Sequence, residues 1–249
     1  MPALSRALLP ATLLLSLTAA AEETPAPLAA LEAQGLTVHG RFAAPGGLTG
    51  YAASARGRPM TVFVTADGEH AVIGNLVDTE GNNLSEAPLD RLVRAPQEAE
   101  TWQALQDSAW IADGDADATR TVYVFTDPNC PYCRRFWQAA RPWVEAGRVR
   151  LRHVMVGILE HDSPRLAVSL LAAADPAAAL AAHERGDGIE PLEPLPRRWE
   201  LALQENHGLM ERLGLVATPG LVYRVDDRLQ TDQGMPSEER LTEILGPRP

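Results

Sequence analysis

The two cysteines of the chain stand together as Cys130-Pro131-Tyr132-Cys133, a spacing at which a dithiol can form and break one disulfide. Upstream, Thr121 to Thr126 reads as a buried strand; downstream, Arg134 to Arg141 reads as an amphipathic helix, so the pair opens that helix. A sulfur at this position gains from ionisation, because unpaired backbone N–H groups and the helix dipole favour a thiolate at Cys130. Arg134 and Arg135 are expected to add positive charge, and Cys133, one turn further in, to be the more buried sulfur, with Cys130 reachable from water. A structural zinc site needs about four ligands and there is no second cysteine pair. Haem attachment needs a histidine after the second cysteine, where Arg134 stands. An inert staple is the remaining alternative, but closing so short a loop removes little chain entropy. The pattern therefore favours redox exchange.

The other reactive side chains give weaker signals. The histidines at 39, 70, 153, 161, 183 and 207 show no metal-ligand spacing and read as surface or core residues. No metal and no cofactor is expected. Ser163, next to His161 and Asp162, lacks a nucleophile-elbow context and reads as a helix N-cap. Asp127, close to the dithiol, could assist proton transfer, although a turn or cap role suits it better. Trp137 is explained by packing alone. All 22 basic residues are arginine, which removes chemistries that need a lysine, such as a Walker A phosphate site or a pyridoxal Schiff base. The formal charge of -11 makes nucleic acid and anionic lipid poor partners.

The elements that must hold the dithiol are legible by period and punctuation. Residues 1–21 carry Arg6, a short apolar run and an Ala19-Ala20-Ala21 end, the pattern of a signal peptide, since a membrane span needs about 20 apolar residues. Export would place the mature chain where disulfides persist. Residues 22–95 read as a short helix over 28–34 and strands over 36–42, 48–55, 60–65 and 70–77, with Asp67-Gly68 as a hairpin turn. Such a small sheet invites a partner strand or a second copy of itself; packing on the rest of the chain is the alternative. Residues 96–115 read as a linker, helical to about 111, and Asp113 to Asp117 as a break. Residues 116–249 give strand, a dithiol helix kinked at Pro142 and ended by Gly147, strand 149–156, helices over 164–173, 176–185 and 196–213, a hairpin over 221–233 and a last helix over 236–245. The expected fold class is mixed α+β or α/β, a sheet flanked by helices, with a helical insert at about 160–213.

Thr126-Asp127-Pro128-Asn129-Cys130-Pro131-Tyr132-Cys133-Arg134-Arg135-Phe136-Trp137 and Ala217-Thr218-Pro219 resemble the thioredoxin-fold domain of the DsbC/DsbG family of periplasmic thiol:disulfide interchange proteins. Pro131 between the cysteines is similar to the DsbG branch, the DsbC branch usually having glycine there. Residues 28–112 resemble, mainly in element order, the family's cystatin-like dimerisation domain and linker helix. The resemblance implies a V-shaped homodimer in the periplasm, with two dithiols facing a cleft for unfolded or oxidised protein clients, kept reduced by a DsbD-type membrane reductase. It implies that Pro219 is cis beside the sulfurs, with Thr218 offering backbone groups to an extended client. The short, Pro-rich stretch 186–196 departs from the family's insert. So does the strand before the motif, where Val124 and Phe125 stand in the stretch in which thioredoxins often bury an acid.

The implied chemistry is attack by Cys130 on a client disulfide, for isomerisation or reduction, or on a sulfenic acid. Two other readings fit the residues: a DsbA-like oxidase, for which a low thiolate pKa would also serve, and a holdase chaperone in which the dithiol is incidental.

Overall fold

The computed structural model describes residues 24–249; the signal-peptide reading of residues 1–21 lies outside them. The chain forms two compact units that part between Val93 and Arg94.

In the first unit, α1 (Ala26–Glu32) starts with proline in its first turn, where a missing N–H leaves nothing unpaired. Strands β1 (Leu36–Ala43), β2 (Thr49–Ala55), β3 (Arg58–Val64) and β4 (Ala71–Ile73) form an antiparallel sheet in sequence order. Phe42 and Phe63 meet edge to face at 5.8 Å. That contact requires Gly50, since a Cβ there would lie 2.3 Å from the Phe42 ring. A short helix α2 (Glu86–Leu89) runs into a π-helical turn, Asp90–Arg94, and Leu89 and Val93 pack on Phe42 and Phe63.

In the second unit, α3 (Ala95–Asp107) follows the π-helical turn directly, Arg94 keeping helical dihedrals, with Pro96 in its first turn. The helix expected to reach 111 stops at Asp107, and Trp110–Asp113 is a strand, β5, paired antiparallel to β7. Ser108 turns the backbone extended, and the strand then finds its hydrogen bonds across the sheet, a pairing that no local pattern announces. The sequence break expected at 113–117 therefore falls inside the second unit, after its first strand. Strands β6 (Arg120–Thr126), β7 (Val149–Met155), β8 (Gly220–Val225) and β9 (Arg228–Gln233) complete a sheet of order β5-β7-β6-β8-β9. Only β6 and β7 are parallel, with α4 (Pro131–Glu145) as their crossover.

Strand β6 lies at the centre and is buried on both faces, which is why its run of apolar residues is continuous. Val122 and Val124 pack with Phe136, Ala140 and Trp143 of α4 and with Leu241 and Ile244 of α8 (Glu238–Leu245). Tyr123 and Phe125 face the other way, onto Leu105 of α3 and onto Leu209 and Met210 of α7 (Arg197–Arg212). Helices α5 (Ser163–Ala172), α6 (Pro176–Arg185) and α7 fill the stretch between β7 and β8. The dithiol thus sits where the most buried strand hands over to its crossover helix. Helix α4 runs on past Pro142 to Glu145.

Candidate active site

Strand β6 ends at Thr126, and Asp127 to Asn129 turn the chain so that Cys130 becomes the N-cap of α4. Pro131 follows at the first helical position, where proline fits without losing a hydrogen bond. The Cys130 sulfur accepts the N–H of Cys133 at 3.4 Å. The Thr218–Pro219 peptide is cis, and the Cys130 thiol donates to the Thr218 carbonyl at 3.4 Å. Both cysteines are free thiols.

These contacts split the two sulfurs electrostatically. The Cys133 thiol, donating to the Cys130 sulfur, brings Cys130 down to about 6; burial opposes it, while the Thr218 hydroxyl and the N–H groups of Cys133 and Tyr132 help. Burial pushes Cys133 well up, and its bond to Cys130 and the charge there add to the rise. The Thr218 hydroxyl is buried and has no partner in the resting geometry, so it is available to the thiolate. Near neutrality the pair is one thiolate and one thiol, the form that attacks a sulfur.

Two expectations change. Cys130 was expected to be reachable from water, yet it keeps 5 % of its surface and Cys133 2 %, because the loop carrying Thr218 closes over it. What reaches solvent is an apolar rim: Tyr132, Ile158, Leu159 and, on the cis-proline loop, Val216. Arg134 and Arg135 do not point their charge at the sulfur. Arg134 Nε lies 4.0 Å from Glu184 and its Nη2 donates to the His183 carbonyl at 3.4 Å. Arg135 lies over the Tyr132 ring, 5.4 Å from its centre.

Asp127 ties the turn together. Its Oδ1 accepts from the N–H of Asn129 at 2.9 Å and from the Ser163 hydroxyl at 2.8 Å; its Oδ2 accepts from the N–H groups of Ile158 and Leu159 at 2.7 and 3.0 Å. With four donors on one buried carboxylate, Asp127 is structural, the turn role its sequence position favoured. Ser163, expected as an N-cap, instead lies inside the first turn of α5 and joins Asp127 to Asn129. Gly157 is needed beside them, because a Cβ there would lie 2.5 Å from Pro164 Cα. The Gly157 N–H donates to His207 Nε2 at 2.9 Å, and burial lowers the pKa of that imidazole, keeping it an acceptor. On the opposite side, the Gln233 side-chain carbonyl accepts the N–H groups of Val216 and Ala217 at 2.7 and 3.2 Å, fixing the cis-proline loop.

Behind the dithiol lies a polar layer that the sequence did not disclose. His153 joins Thr126 Oγ1 at 2.9 Å and approaches Asp113 at 3.5 Å. Asp113 holds Arg141 in a two-pronged pair, and although burial raises the Asp113 pKa, His153 and Arg141 outweigh it and hold the carboxyl at about 2. Arg141 in turn lies 4.1 Å over Trp137. His183 Nε2 bonds the Pro128 carbonyl at 2.7 Å. Among the described residues, Asp67, Glu69 and His70 form the one acidic group with metal-ligand spacing, on an exposed turn of the first unit far along the chain from the dithiol.

A thioredoxin family model matches residues 107–185. The catalytic domain of Proteus mirabilis ScsC superposes with a TM-score of 0.52 at 24 % identity, covering 61 % of this chain and 96 % of that one, which shows the fold. The thiol:disulfide interchange protein DsbG of Pseudomonas aeruginosa is 48 % identical over 236 residues, 93 % of this chain and 92 % of that protein. DsbG of Escherichia coli strain K12 is 40 % identical over 237 residues, 94 % of this chain and 96 % of that protein. With likeness of this degree over nearly the whole length, and a split dithiol at the tip of a thioredoxin-fold helix, the chain belongs to the DsbG family of thiol:disulfide interchange proteins and is a thiol-disulfide oxidoreductase of that type.

Proposed function

We propose that Cys130 is the nucleophile and Cys133 the resolving thiol, with Pro131, Tyr132, Thr218 and cis-Pro219 as the supporting residues. The observation that carries this reading is the placement of two free thiols one helical turn apart, the Cys130 sulfur at the N-cap of α4 accepting the Cys133 N–H at 3.4 Å beside the cis Thr218–Pro219 peptide, with Cys133 buried further in. The Cys130 thiolate attacks one sulfur of a client disulfide, forms a mixed disulfide and expels the other client sulfur as a thiolate. Cys133 then attacks Cys130, releasing the client reduced, or a second client thiol attacks and the client leaves with its pairing changed. On a sulfenic acid the same attack expels hydroxide, which is protonated to water. The Thr218 carbonyl, at the edge of an apolar rim, suits an extended client segment with an apolar side chain beside its sulfur.

The clients in this reading are oxidised or misfolded proteins of the periplasm, reached through cleavage of residues 1–21, and electrons come from a DsbD-type membrane dithiol. Residues up to Val93 serve as a dimerisation unit and residues 94–249 as the catalytic unit, to which the stretch 96–115, expected as a linker, belongs through Leu105 and β5. The open edge strand β4, with Val72 and Ile73 exposed, and the exposed Val77 after it support pairing with a second copy. Cys133→Ala tests the chemistry: it should accumulate client proteins covalently bound through Cys130, while Cys130→Ser should capture none and lose the activity. Full activity in Cys130→Ser would leave a holdase. Alkylation of the protein in periplasmic extract separates the remaining rival, since a mainly oxidised pair marks an oxidase and a mainly reduced pair a reductase or isomerase.

A further inference from the structure

One buried ionisable group has no part in the chemistry above. Glu184, in the last turn of α6, is 2 % exposed. Its ion-pair partner is Arg134, whose Nε at 4.0 Å is too far for a hydrogen bond and is itself a buried donor with no acceptor. Helix α6 is docked on the dithiol turn from behind: His183 holds the Pro128 carbonyl at 2.7 Å, Arg134 Nη2 holds the His183 carbonyl at 3.4 Å, and the Arg134 N–H holds the Cys130 carbonyl at 3.3 Å. Arg134 of α4 stands against the carboxyl, and the charges that reach it besides are those of Cys130 at the N-cap of α4, His153 of β7 and Asp113 of β5. A buried carboxyl with so few donors is poorly stabilised as an anion. It becomes still less so when a second negative charge forms at Cys130, so the two sites titrate as a pair.

Building on the reading of Cys130 as thiolate nucleophile, we propose that Glu184 is a positioning residue for charge, taking up a proton when the disulfide is reduced and releasing it when the disulfide forms. The balance closes with a donor dithiol. Two electrons break the Cys130–Cys133 bond and a new disulfide forms in the donor. Of the donor's two protons, one goes to the Cys133 sulfur and the other to Glu184, leaving Cys130 as thiolate. Burial already holds Glu184 up at about 7; His153 and Arg134 oppose this, while the charges at Cys130 and Asp113 add to it. Reduction therefore gives the site one thiolate and a neutral acid in place of a disulfide and a carboxylate, and the net charge behind the helix tip is unchanged.

The test is a pair of titrations. In the unaltered chain, the carboxyl carbon of Glu184 followed by NMR should titrate at higher pH in the reduced than in the oxidised protein. In Glu184→Gln, reduction of the disulfide should take up less proton between about pH 6 and 7 than in the unaltered chain, read with a pH indicator in weakly buffered solution, while the Cys130 midpoint stays close to its unaltered value because glutamine stands in for the neutral acid. The same Glu184 midpoint in both redox states, or an unchanged proton uptake on reduction in the substituted chain, overturns the proposal and leaves the nucleophile reading standing. A Cys130 midpoint at the ordinary thiol value in the unaltered chain overturns both. Should Glu184→Gln not fold, the redox difference in the unaltered chain decides alone.

Discussion

At the scale of single residues, the dithiol works through differences between neighbours that share one backbone turn. Thr218 contributes a carbonyl that accepts from Cys130 and a buried hydroxyl that favours its thiolate. Thr218→Val keeps the shape and removes the hydroxyl, so the alkylation midpoint of Cys130 should rise from about 6, with slower alkylation between pH 6 and 7 as the readout. Glu184 makes a prediction of opposite kind. Its carboxyl rises on folding from 4.5 to about 7, so the stability it confers is whole below 4.5 and lost as pH rises through 7. Glu184→Gln should therefore leave stability little changed at pH 4 and raise it at pH 8, by up to about 3 kcal/mol for a shift of this size. Urea unfolding of the two reduced proteins at both pH values measures it, and an equal difference at the two would contradict a titrating acid. The cysteines and their helix were legible because strand, proline and amphipathic period are local signals. Glu184, His153 and Asp113 were not, because each reaches the site from a separate element, and only the docking of α6 and β7 behind the tip brings them together.

At the scale of elements, the handover from β6 to α4 is held by carboxylate and backbone more than by apolar packing. Asp127 takes four donors from three segments, which locks the loop 157–159 against the turn before Cys130. Its removal would leave two buried N–H groups of that loop, Ile158 and Leu159, without an acceptor. Hydrogen bonds to a charged group are each worth about 1.5–3 kcal/mol, so Asp127→Ala should destabilise the fold by about 3 kcal/mol or more. Hydrogen exchange at Ile158 and Leu159 should accelerate before exchange at Val124 does; uniform acceleration would mean that the loop has no separate tether. The sequence expected Asp127 near the dithiol without showing what it holds, since its partners lie on the far side of α4 and β7 in the chain. Strand β5 was hidden for a related reason. Trp110 and Ile111 follow a helical period, and only pairing with β7 makes them a strand. The helices α5 to α7 were legible because Pro164, Asp175 and Pro196 mark their starts.

At the scale of the whole molecule, the two compact units have different needs. The second unit buries its sheet on both faces with its own helices. The first has a four-stranded sheet whose β4 edge is three residues long and exposes Val72 and Ile73 at 60 % and 53 %. An uncovered apolar edge of this kind pairs readily with a copy of itself. Burying each of these side chains contributes about 1.5–3 kcal/mol to association. A charge placed there must lose its water, and Ile73→Lys should weaken the proposed dimer by about 100-fold or more. Sedimentation of the mature chain at micromolar concentration should therefore find a dimer, and the substituted chain a monomer. The Cys130 alkylation midpoint should be the same in both, because β4 contributes none of the contacts that set it. In cells the monomer's dithiol should be found oxidised more often, if pairing of the first units is what keeps an oxidising partner away from Cys130. A monomeric unaltered chain would remove that protection from the mechanism, and selection between reductase and oxidase would then have to lie in the rim of Tyr132, Ile158, Leu159 and Val216 alone.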